Sequence, residues 1–217
     1  MSHTVLPFYL VVDTSTSMRG RRIDSVNAAL PRLHRSIASN PVAADKCHIG
    51  LIAFNTGAQV VVPLNDLSHV PSMPSLMAGG RTEYDAALTE LGRAITADVE
   101  RLKASGVRVH RPCAFFITDG RPTGGWRTTR DLLVNQATNT RAPNIVAFGV
   151  AEADEENLRR LATRFVFLAD DGVDVAEALA EIFQRITSSI VASAVNPDGA
   201  LVLTGGNGLR LIDNSAA

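Results

Sequence analysis

The most informative segment of the sequence is Phe8-Tyr9-Leu10-Val11-Val12-Asp13-Thr14-Ser15-Thr16-Ser17-Met18. It begins with an unbroken apolar run, which is typical of a strand buried on both faces of a parallel sheet. Asp13 ends that run abruptly, and Ser15 and Ser17 follow at alternate positions. Open α/β sheets bind ligands at the carboxyl ends of their strands. We therefore expect this edge of the sheet to hold a divalent cation.

Beyond this segment, the chain alternates apolar strands with amphipathic helices. Apolar runs predict strands near residues 6–13, 47–54, 58–64, 112–118, 144–150 and 165–168, and apolar residues at steps of three and four predict helices around them. Asn55-Thr56-Gly57 joins the second and third strands as a hairpin, which makes the third strand antiparallel. The pattern predicts a doubly wound α/β fold, with a mostly parallel central sheet, helices on both faces and one antiparallel edge strand.

Several boundaries are less clearly marked. Pro31 lies inside the first helical pattern, where we expect a kink or a later helix start. The second helix is expected to open at Thr82, and a weaker helix is expected over Arg127–Asn139. Between these features, Asp66 to Arg81 forms a long polar connection of the kind that often carries function.

The length of 217 residues suits one domain, which we place over residues 1–192. Residues 193–217 are expected to form a tail or a small hairpin. In the second case Leu201–Thr204 and Leu209–Ile212 would be its two strands, joined through a glycine-rich turn. No second domain and no internal repeat is evident in the sequence.

Composition and charge narrow the class of protein. Hydrophobic residues make up 46% of the chain and charged residues 20%, which is a globular mixture. Basic and acidic residues number 21 and 22, so nothing favours nucleic acid or an anionic membrane as a partner. Cys47 and Cys113 lie in apolar runs and are expected to be buried thiols. With no signal-like N-terminus and no spanning apolar run, we expect a soluble cytoplasmic protein.

Five oxygen-bearing side chains are expected to converge at the sheet edge. They are Asp13, Ser15, Ser17, Thr82 and Asp119, which come from three separate loops. Such hard oxygen ligands suit Mg²⁺ best, with Ca²⁺ and Mn²⁺ as alternatives. Two carboxylates and three neutral hydroxyls leave the cation electrophilic. A coordination position is then available for a carboxylate oxygen of an incoming partner.

The same residues carry a family resemblance. Asp13-Thr14-Ser15-Thr16-Ser17 matches the DxSxS motif of von Willebrand factor A domains, Thr82 stands where that family has a separate threonine, and Thr118-Asp119-Gly120 matches its later aspartate. The resemblance covers about residues 6–192. It implies a Rossmann-like fold, a metal-ion-dependent adhesion site built from the five residues, and protein binding rather than catalysis. Thr16 departs from the glycine common in the family, and Arg81-Thr82-Glu83-Tyr84 is also atypical.

A narrower resemblance is to the TerY group of bacterial tellurium-resistance proteins. It rests mainly on residues 9–20, on Val26-Asn27-Ala28-Ala29-Leu30, on Pro63-Leu64 and on Thr118-Asp119-Gly120-Arg121-Pro122-Thr123. Members of that group are cytoplasmic A domains associated with a protein kinase, a PP2C-type phosphatase and TerD-like calcium-binding proteins. The resemblance therefore implies partners of these kinds and a role in a stress-response signalling complex.

Residues beside the expected metal site are candidates for partner contacts: Arg81, Gly120, Arg121 and Trp126. Trp126, the only tryptophan, suits either an exposed anchor or the packing of a helix start, and the sequence leaves both open. The arginines Arg19, Arg21 and Arg22 either steer an acidic partner or form a solvated helix start. The loops Gly79–Thr82 and Gly120–Trp126 are expected to set specificity.

Simpler roles fit each proposed ligand taken singly. Ser15 and Ser17 suit a helix cap, and Asp13 suits a turn. Thr82 with Asp85 resembles a capping-box pair, and Asp119 before a glycine is a common turn. Their joint order over three predicted loops favours the metal site.

An enzymatic alternative is a magnesium-dependent hydrolase of the haloacid-dehalogenase kind. Such a phosphatase uses a strand-end aspartate as nucleophile and a second carboxylate two residues later as the acid. Asp13 has Ser15 at that later position. The sequence also has no Gly-x-Ser-x-Gly elbow, Walker loop or Gly-x-Gly-x-x-Gly turn. We therefore expect a binding module rather than an enzyme.

Overall fold

A computed structural model describes residues 4–170, 172–196, 200–203 and 209–213. Its centre is a single sheet of eight strands. The strands are β1 (Thr4–Asp13), β2 (Cys47–Phe54), β3 (Ala58–Asp66), β4 (Arg108–Val109), β5 (Cys113–Thr118), β6 (Asn144–Gly149), β7 (Phe165–Ala169) and β8 (Leu209–Asp213). Their order across the sheet is β3-β2-β1-β5-β6-β7-β8, and the short β4 also pairs with β1.

Helices cover both faces of the sheet. They are α1 (Arg21–Ala38), α2 (Pro41–Lys46), α3 (Tyr84–Ala104), α4 (Arg127–Val134), α5 (Glu155–Leu161) and α6 (Val175–Val195). One apolar cluster joins the sheet to α1, α2 and α6, and a second joins it to α3, α4 and α5. Side chains of β1 alternate between the two clusters, because successive residues of a strand point to opposite faces. The predicted doubly wound, mostly parallel fold is confirmed.

The strand order reverses at β1. From this strand the chain passes to β2 and β3 on one side, and later to β5, β6 and β7 on the other. Both β2 and β5 pair with β1 in parallel, so the carboxyl ends of all three lie at one edge. Val12 pairs with Ile117, which places Asp13 beside Thr118 and close to Asp119. A reversal of this kind opens the crevice in which α/β sheets bind ligands.

The sheet has two antiparallel edges rather than the predicted one. β3 pairs antiparallel with β2, as the hairpin signal indicates. At the other edge β8 pairs antiparallel with β7, and the described residues 201–203 are not in a strand, so the part of the predicted hairpin that the structure describes is not formed. Leu209 and Ile212 are buried on opposite faces of the sheet, so the added strand contributes to both apolar clusters. The C-terminal segment thus contributes to the main sheet, although residues 204–208 lie outside the described part.

α3 and α4 differ from their predicted bounds, and α1 excludes one of the two alternatives given for it. α1 begins at Arg21 and continues through the exposed Pro31, so a later start is wrong. α3 begins at Tyr84, because Glu83 has an extended backbone. α4 ends at Val134 instead of Asn139. After it, the side-chain amide of Asn139 donates a hydrogen bond to the carbonyl of Leu133 and closes a turn.

The short helix α2 is not predicted from the sequence. Asn40 caps it through hydrogen bonds from two backbone amides, and Pro41 occupies its first turn. Only Ala43 is buried in its six residues, which is too little for a helical period to be visible.

The long connection between β3 and α3 is packed rather than loose. Leu67, Met73 and Leu76 are buried against the core. The side chain of Asn27 makes hydrogen bonds of 2.7 and 3.0 Å with the backbone of Leu76. His34 binds the carbonyl oxygens of Leu67 and Val70. These contacts from α1 fix the segment that leads to Gly79 and Thr82.

The two cysteines, Cys47 and Cys113, are buried free thiols, as expected. In the described part of the chain, no helix has both the length and the apolar character needed to cross a membrane.

Candidate metal centre

The loop after β1 begins with a buried carboxylate. Asp13 is fully buried, and its Oδ1 accepts a 2.7 Å hydrogen bond from the backbone amide of Ser15. A single turn of 3₁₀-helix over Thr16–Met18 follows, which brings Ser15 Oγ and Ser17 Oγ to 2.9 Å. Ser15 is buried whereas Ser17 is exposed, so the site is open to solvent on the Ser17 side.

The loop after β5 meets this turn directly. Asp119 is fully buried, and its Oδ1 accepts a 2.7 Å hydrogen bond from Ser17 Oγ. In return, Thr118 Oγ1 donates a 2.6 Å hydrogen bond to Asp13 Oδ2. Each carboxylate is therefore held by a hydroxyl from the carboxyl end of the other strand or from the loop that follows it. The two loops form one connected network at the reversal point of the sheet.

Thr82 completes the group from the third loop. It is buried, and its carbonyl accepts a 2.9 Å hydrogen bond from the amide of Thr123. A methyl group placed on Gly120 would lie 3.0 Å from Thr82 Oγ1 and 3.8 Å from Ser17 Oγ. Both hydroxyls thus border Gly120, and the missing side chain leaves room between them.

Further hydrogen bonds fix the loops to one another. Thr14 donates to the carbonyl of Phe54 through both its amide and its hydroxyl. Gly79 donates to the carbonyl of Thr14, and Thr16 donates to that of Gly80, at 2.8 and 3.0 Å. Gly80 has a φ of 82°, a left-handed conformation that favours glycine. These hydrogen bonds hold the loops that carry the oxygen groups against one another.

Burial changes the electrostatics of Asp13. Removal from water raises its pKa to about 6, while hydrogen bonds from Thr118 and Ser15 act in the opposite direction. The nearby charge of Asp119 adds to the increase. A buried carboxylate with a raised pKa is short of positive charge around it, so a bound cation would stabilise its ionised form.

Arg22 supplies part of that positive charge to the neighbouring aspartate. Its Nη1 donates to Asp119 Oδ2 at 2.5 Å and to the carbonyl of Ser17 at 3.2 Å. From the sequence, Arg22 is expected only as a steering or solvated residue, and Thr118 stands out only as part of the motif around Asp119. Thr118 was identifiable from strand pairing, since it precedes Asp119 on the strand beside β1.

The residues present fit a hard divalent cation. The structure brings all five predicted ligands, Asp13, Ser15, Ser17, Thr82 and Asp119, to one edge of the sheet. Over the described ranges, no group of three or more His, Cys, Asp or Glu side chains is arranged to hold a metal. Any cation here would therefore rest on two carboxylates and neutral hydroxyls, a set that suits Mg²⁺, Mn²⁺ or Ca²⁺. Their role as ligands stays a prediction.

The predicted partner-contact residues divide into two groups. Arg81 and Arg121 are exposed, and Arg81 Nε lies 3.3 Å from a carboxylate oxygen of Glu83. Gly120 is buried beneath the loop, where its carbonyl accepts a hydrogen bond from Tyr84 Oη. Trp126 is only 3% exposed, and its ring lies 5.5 Å from that of Tyr84. Trp126 as an exposed anchor is therefore wrong, because its indole packs at the start of α4.

Sequence comparison identifies a family. The profile of the von Willebrand factor type A domain matches residues 8–184. No curated protein sequence matches the chain. The matched range contains all three loops of the site.

Solved structures with the same fold are distant in sequence. Proximal thread matrix protein 1 from the mussel byssus, with a zinc-occupied MIDAS motif, is 14% identical with a TM-score of 0.61, over 87% of this chain and 48% of that one. A von Willebrand factor type A protein from Catenulispora acidiphila is 18% identical with a TM-score of 0.59, over 87% and 43%. The chain thus spans less than half of either protein.

A third structure matches over almost its whole length. The von Willebrand factor domain of the type V pili tip protein Mfa5 from Porphyromonas gingivalis is 12% identical with a TM-score of 0.58, over 90% of this chain and 98% of that one. At such identities the three structures show the shared fold alone. Together with the profile match over most of the sequence, they establish that the chain belongs to the von Willebrand factor type A domain family.

Proposed function

We propose that the chain is a metal-ion-dependent protein-interaction module. Its cation, held by Asp13, Ser15, Ser17, Thr82 and Asp119, would bind a carboxylate of a partner protein. The observation that carries this proposal is the pair of crossed hydrogen bonds between the loops after β1 and β5, which holds two buried carboxylates at the reversal point. A site fixed in this way needs little rearrangement to accept an ion, so less free energy is lost on binding.

The chemistry of the ligands favours an additional carboxylate from a partner protein. Serine and threonine hydroxyls transfer little charge to a cation, so two carboxylates leave it electrophilic. Mg²⁺ is the ion proposed, since it prefers oxygen ligands in octahedral geometry and readily keeps exchangeable positions. Calcium and manganese are the alternatives. The exposed Ser17 marks the side from which a partner can approach.

Charge around the site supports an acidic partner. Arg19, Arg81 and Arg121 are exposed at the three loops. Arg19 Nε also donates to the carbonyl of Ala78, which places it beside the Gly79–Thr82 loop. Exposed cations around a site raise the rate at which an acidic surface reaches it. We propose that the Gly79–Thr82 loop and Gly120–Arg121 set partner specificity. Trp126 is not proposed as a partner contact.

A divalent cation is also consistent with the mussel protein, whose MIDAS motif holds zinc. That protein shares the fold at 14% identity, so its zinc supports the ion class and not the choice of metal.

The biological setting is proposed from sequence resemblance. The segments shared with the TerY group suggest a cytoplasmic bacterial protein that acts in a tellurium-resistance or stress-response complex. Its partners would then be a protein kinase, a PP2C-type phosphatase or TerD-like proteins. The near balance of 21 basic and 22 acidic residues gives no support to a nucleic-acid or membrane partner.

The hydrolase alternative finds less support. It needs a second carboxylate two residues after Asp13, and that position holds Ser15, whose hydroxyl is engaged with Ser17. We therefore propose binding rather than catalysis. Magnesium-dependent release of phosphate from a small phosphoester, lost in Asp13→Ala, would favour the hydrolase instead.

The test is affinity capture from bacterial lysate with the purified chain in Mg²⁺ and in EDTA. We expect a set of proteins that is captured in Mg²⁺, lost in EDTA and lost in Asp13→Ala. Asp45→Ala is the matched control, because Asp45 is an exposed aspartate on α2, away from the sheet edge. Capture that is the same in EDTA and with Asp13→Ala would contradict the proposal.

A further inference from the structure

Arg22 makes an unusual ion pair inside the site. It lies in the first turn of α1, and its side chain is 29% exposed, whereas that of Asp119 is fully buried. Its guanidinium binds Asp119 Oδ2 at 2.5 Å and the carbonyl of Ser17 at 3.2 Å. Arg22 therefore touches two of the loops that carry the predicted ligands.

This contact occupies only one of the two carboxylate oxygens of Asp119. Oδ2 is bound by Arg22, while Oδ1 accepts from Ser17, on the side of the predicted ligands. A cation that uses Asp119 would therefore share this carboxylate with a permanently charged guanidinium. Positive charges at such short range repel each other strongly where water is partly excluded.

The net negative charge of the groups around the predicted cation is small. Asp13 and Asp119 carry two negative charges, and Arg22 offsets one of them. A divalent ion placed on these three groups would retain an excess of positive charge. That excess can be removed by one more carboxylate, supplied from outside.

We propose that Arg22 is a built-in counter-cation that keeps the affinity for a divalent cation low until an external carboxylate joins the site. This inference rests on the proposed function and deepens it. Cation and acidic partner then bind cooperatively, and each raises the affinity of the other by the same factor. The module would hold its ion firmly only while it is bound to a partner.

The neighbouring Arg21 provides a matched control. It lies in the same turn, but its side chain is 80% exposed and pairs with Asp174 at 3.2 Å. Neutralising Arg21 removes the same charge from the surface of the protein without touching Asp119. Arg22→Lys is a second control, because it keeps the positive charge near the carboxylate.

The experiment is a titration of the purified full chain with Mn²⁺ alone. Calorimetry or electron paramagnetic resonance measures the binding. We expect Arg22→Gln to bind Mn²⁺ about tenfold more tightly than the wild type, a modest result of removing one charge in a partly solvated site. Arg21→Gln and Arg22→Lys should stay close to the wild type. Excess acetate, compared with chloride at equal ionic strength, should tighten Mn²⁺ binding in the wild type more than in Arg22→Gln.

A folding readout accompanies the titration. Arg22→Gln leaves Asp119 without its ion-pair partner and is expected to lower the melting temperature without metal. Mn²⁺ should then raise the melting temperature of this variant more than that of the wild type. Equal or weaker Mn²⁺ binding by Arg22→Gln would overturn the inference while leaving the proposed function intact. Folded wild type and variant that both fail to bind Mn²⁺ would overturn the two together.

Discussion

The hydroxyl of Ser17 lies 2.7 Å from a carboxylate oxygen of Asp119, although 102 residues separate them in the chain. Thr118 and Asp13 make the reciprocal contact at 2.6 Å. These two hydrogen bonds join the end of β1, where the strand order reverses, to the end of the neighbouring β5. The site thus depends on long-range contacts that form only when the sheet is complete.

Replacing Thr118 with valine tests the contribution of this network to stability. The change keeps the shape of the side chain but removes the donor to Asp13 Oδ2, leaving a buried carboxylate with one hydrogen bond fewer. We expect the free energy of unfolding at neutral pH in EDTA to fall by about 1–3 kcal/mol. Thr96→Val is the control, because Thr96 Oγ1 donates to a carbonyl on the exposed side of α3. Equal small effects in urea unfolding would show that the network contributes nothing.

The pKa of Asp13 predicts a pH dependence of stability. Burial raises the folded-state pKa from 3.8 to about 6, so the folded protein binds this proton more tightly than the unfolded chain does. The contribution of Asp13 to the free energy of unfolding is therefore most favourable below about pH 4 and falls as the pH rises through about 6, by about 3 kcal/mol in all.

Asp13→Asn isolates this effect, because asparagine cannot titrate and can still bind Ser15 and Thr118. In EDTA, the stability of the wild type relative to Asp13→Asn should decrease between about pH 4 and 7. Denaturant titrations of both proteins measure the difference. A difference that is flat, or that increases over this range, would show that the pKa of Asp13 is not raised.

The sequence predicts the fold and the grouping of the site residues, but not all the contacts within the site. The apolar run that ends at Asp13 is sufficient for the strand, its burial and its place in a parallel sheet, because periodicity is local. The order of the loops is sufficient to group Asp13, Ser17 and Asp119. The contact of Arg22 with Asp119 is not predictable, because it depends on how α1 packs at the sheet edge. Thr118 is indicated only by its place directly before Asp119, and its bond to Asp13 needs the pairing of the two strands.

Trp126 and β8 show where local pattern is insufficient. A tryptophan after two glycines resembles an exposed anchor, but the ring of Tyr84 lies against it once α3 and α4 are packed. Likewise, the alternation of Leu209 to Ile212 fits a local hairpin as well as an added edge strand. The edge of β7 is open to a further strand, and pairing with it makes Leu209 to Ile212 an edge strand rather than part of a local hairpin.

Trp126→Ala tests the packing role directly. Loss of a buried indole should lower the free energy of unfolding by about 3–5 kcal/mol. Leu132→Ala, at a position that is 66% exposed on the next turn of α4, should have little effect. Urea unfolding measures both variants. A Trp126→Ala protein with wild-type stability but reduced partner capture would restore the exposed-anchor interpretation.

Gly149 is a further position where close packing near the site can be tested. A methyl group there would lie 2.8 Å from Leu168 and 2.9 Å from Ala153, and it would also contact Leu158. We expect Gly149→Ala to lower the free energy of unfolding by about 1–3 kcal/mol, because the end of β6 must shift. The control is Gly57→Ala in the hairpin turn, where an added methyl group meets nothing within 4 Å. Thermal melts that rank the two variants in the reverse order would contradict this packing.

The predicted metal site is tested most directly by a crystal structure of the chain soaked with Mn²⁺, with anomalous diffraction measured at the manganese edge. We predict one anomalous peak at the carboxyl ends of β1 and β5, in contact with Asp13, Ser15, Ser17, Thr82 and Asp119 directly or through water. A map with no peak there, or with Asp13 and Asp119 too far apart to share one ion, would contradict it.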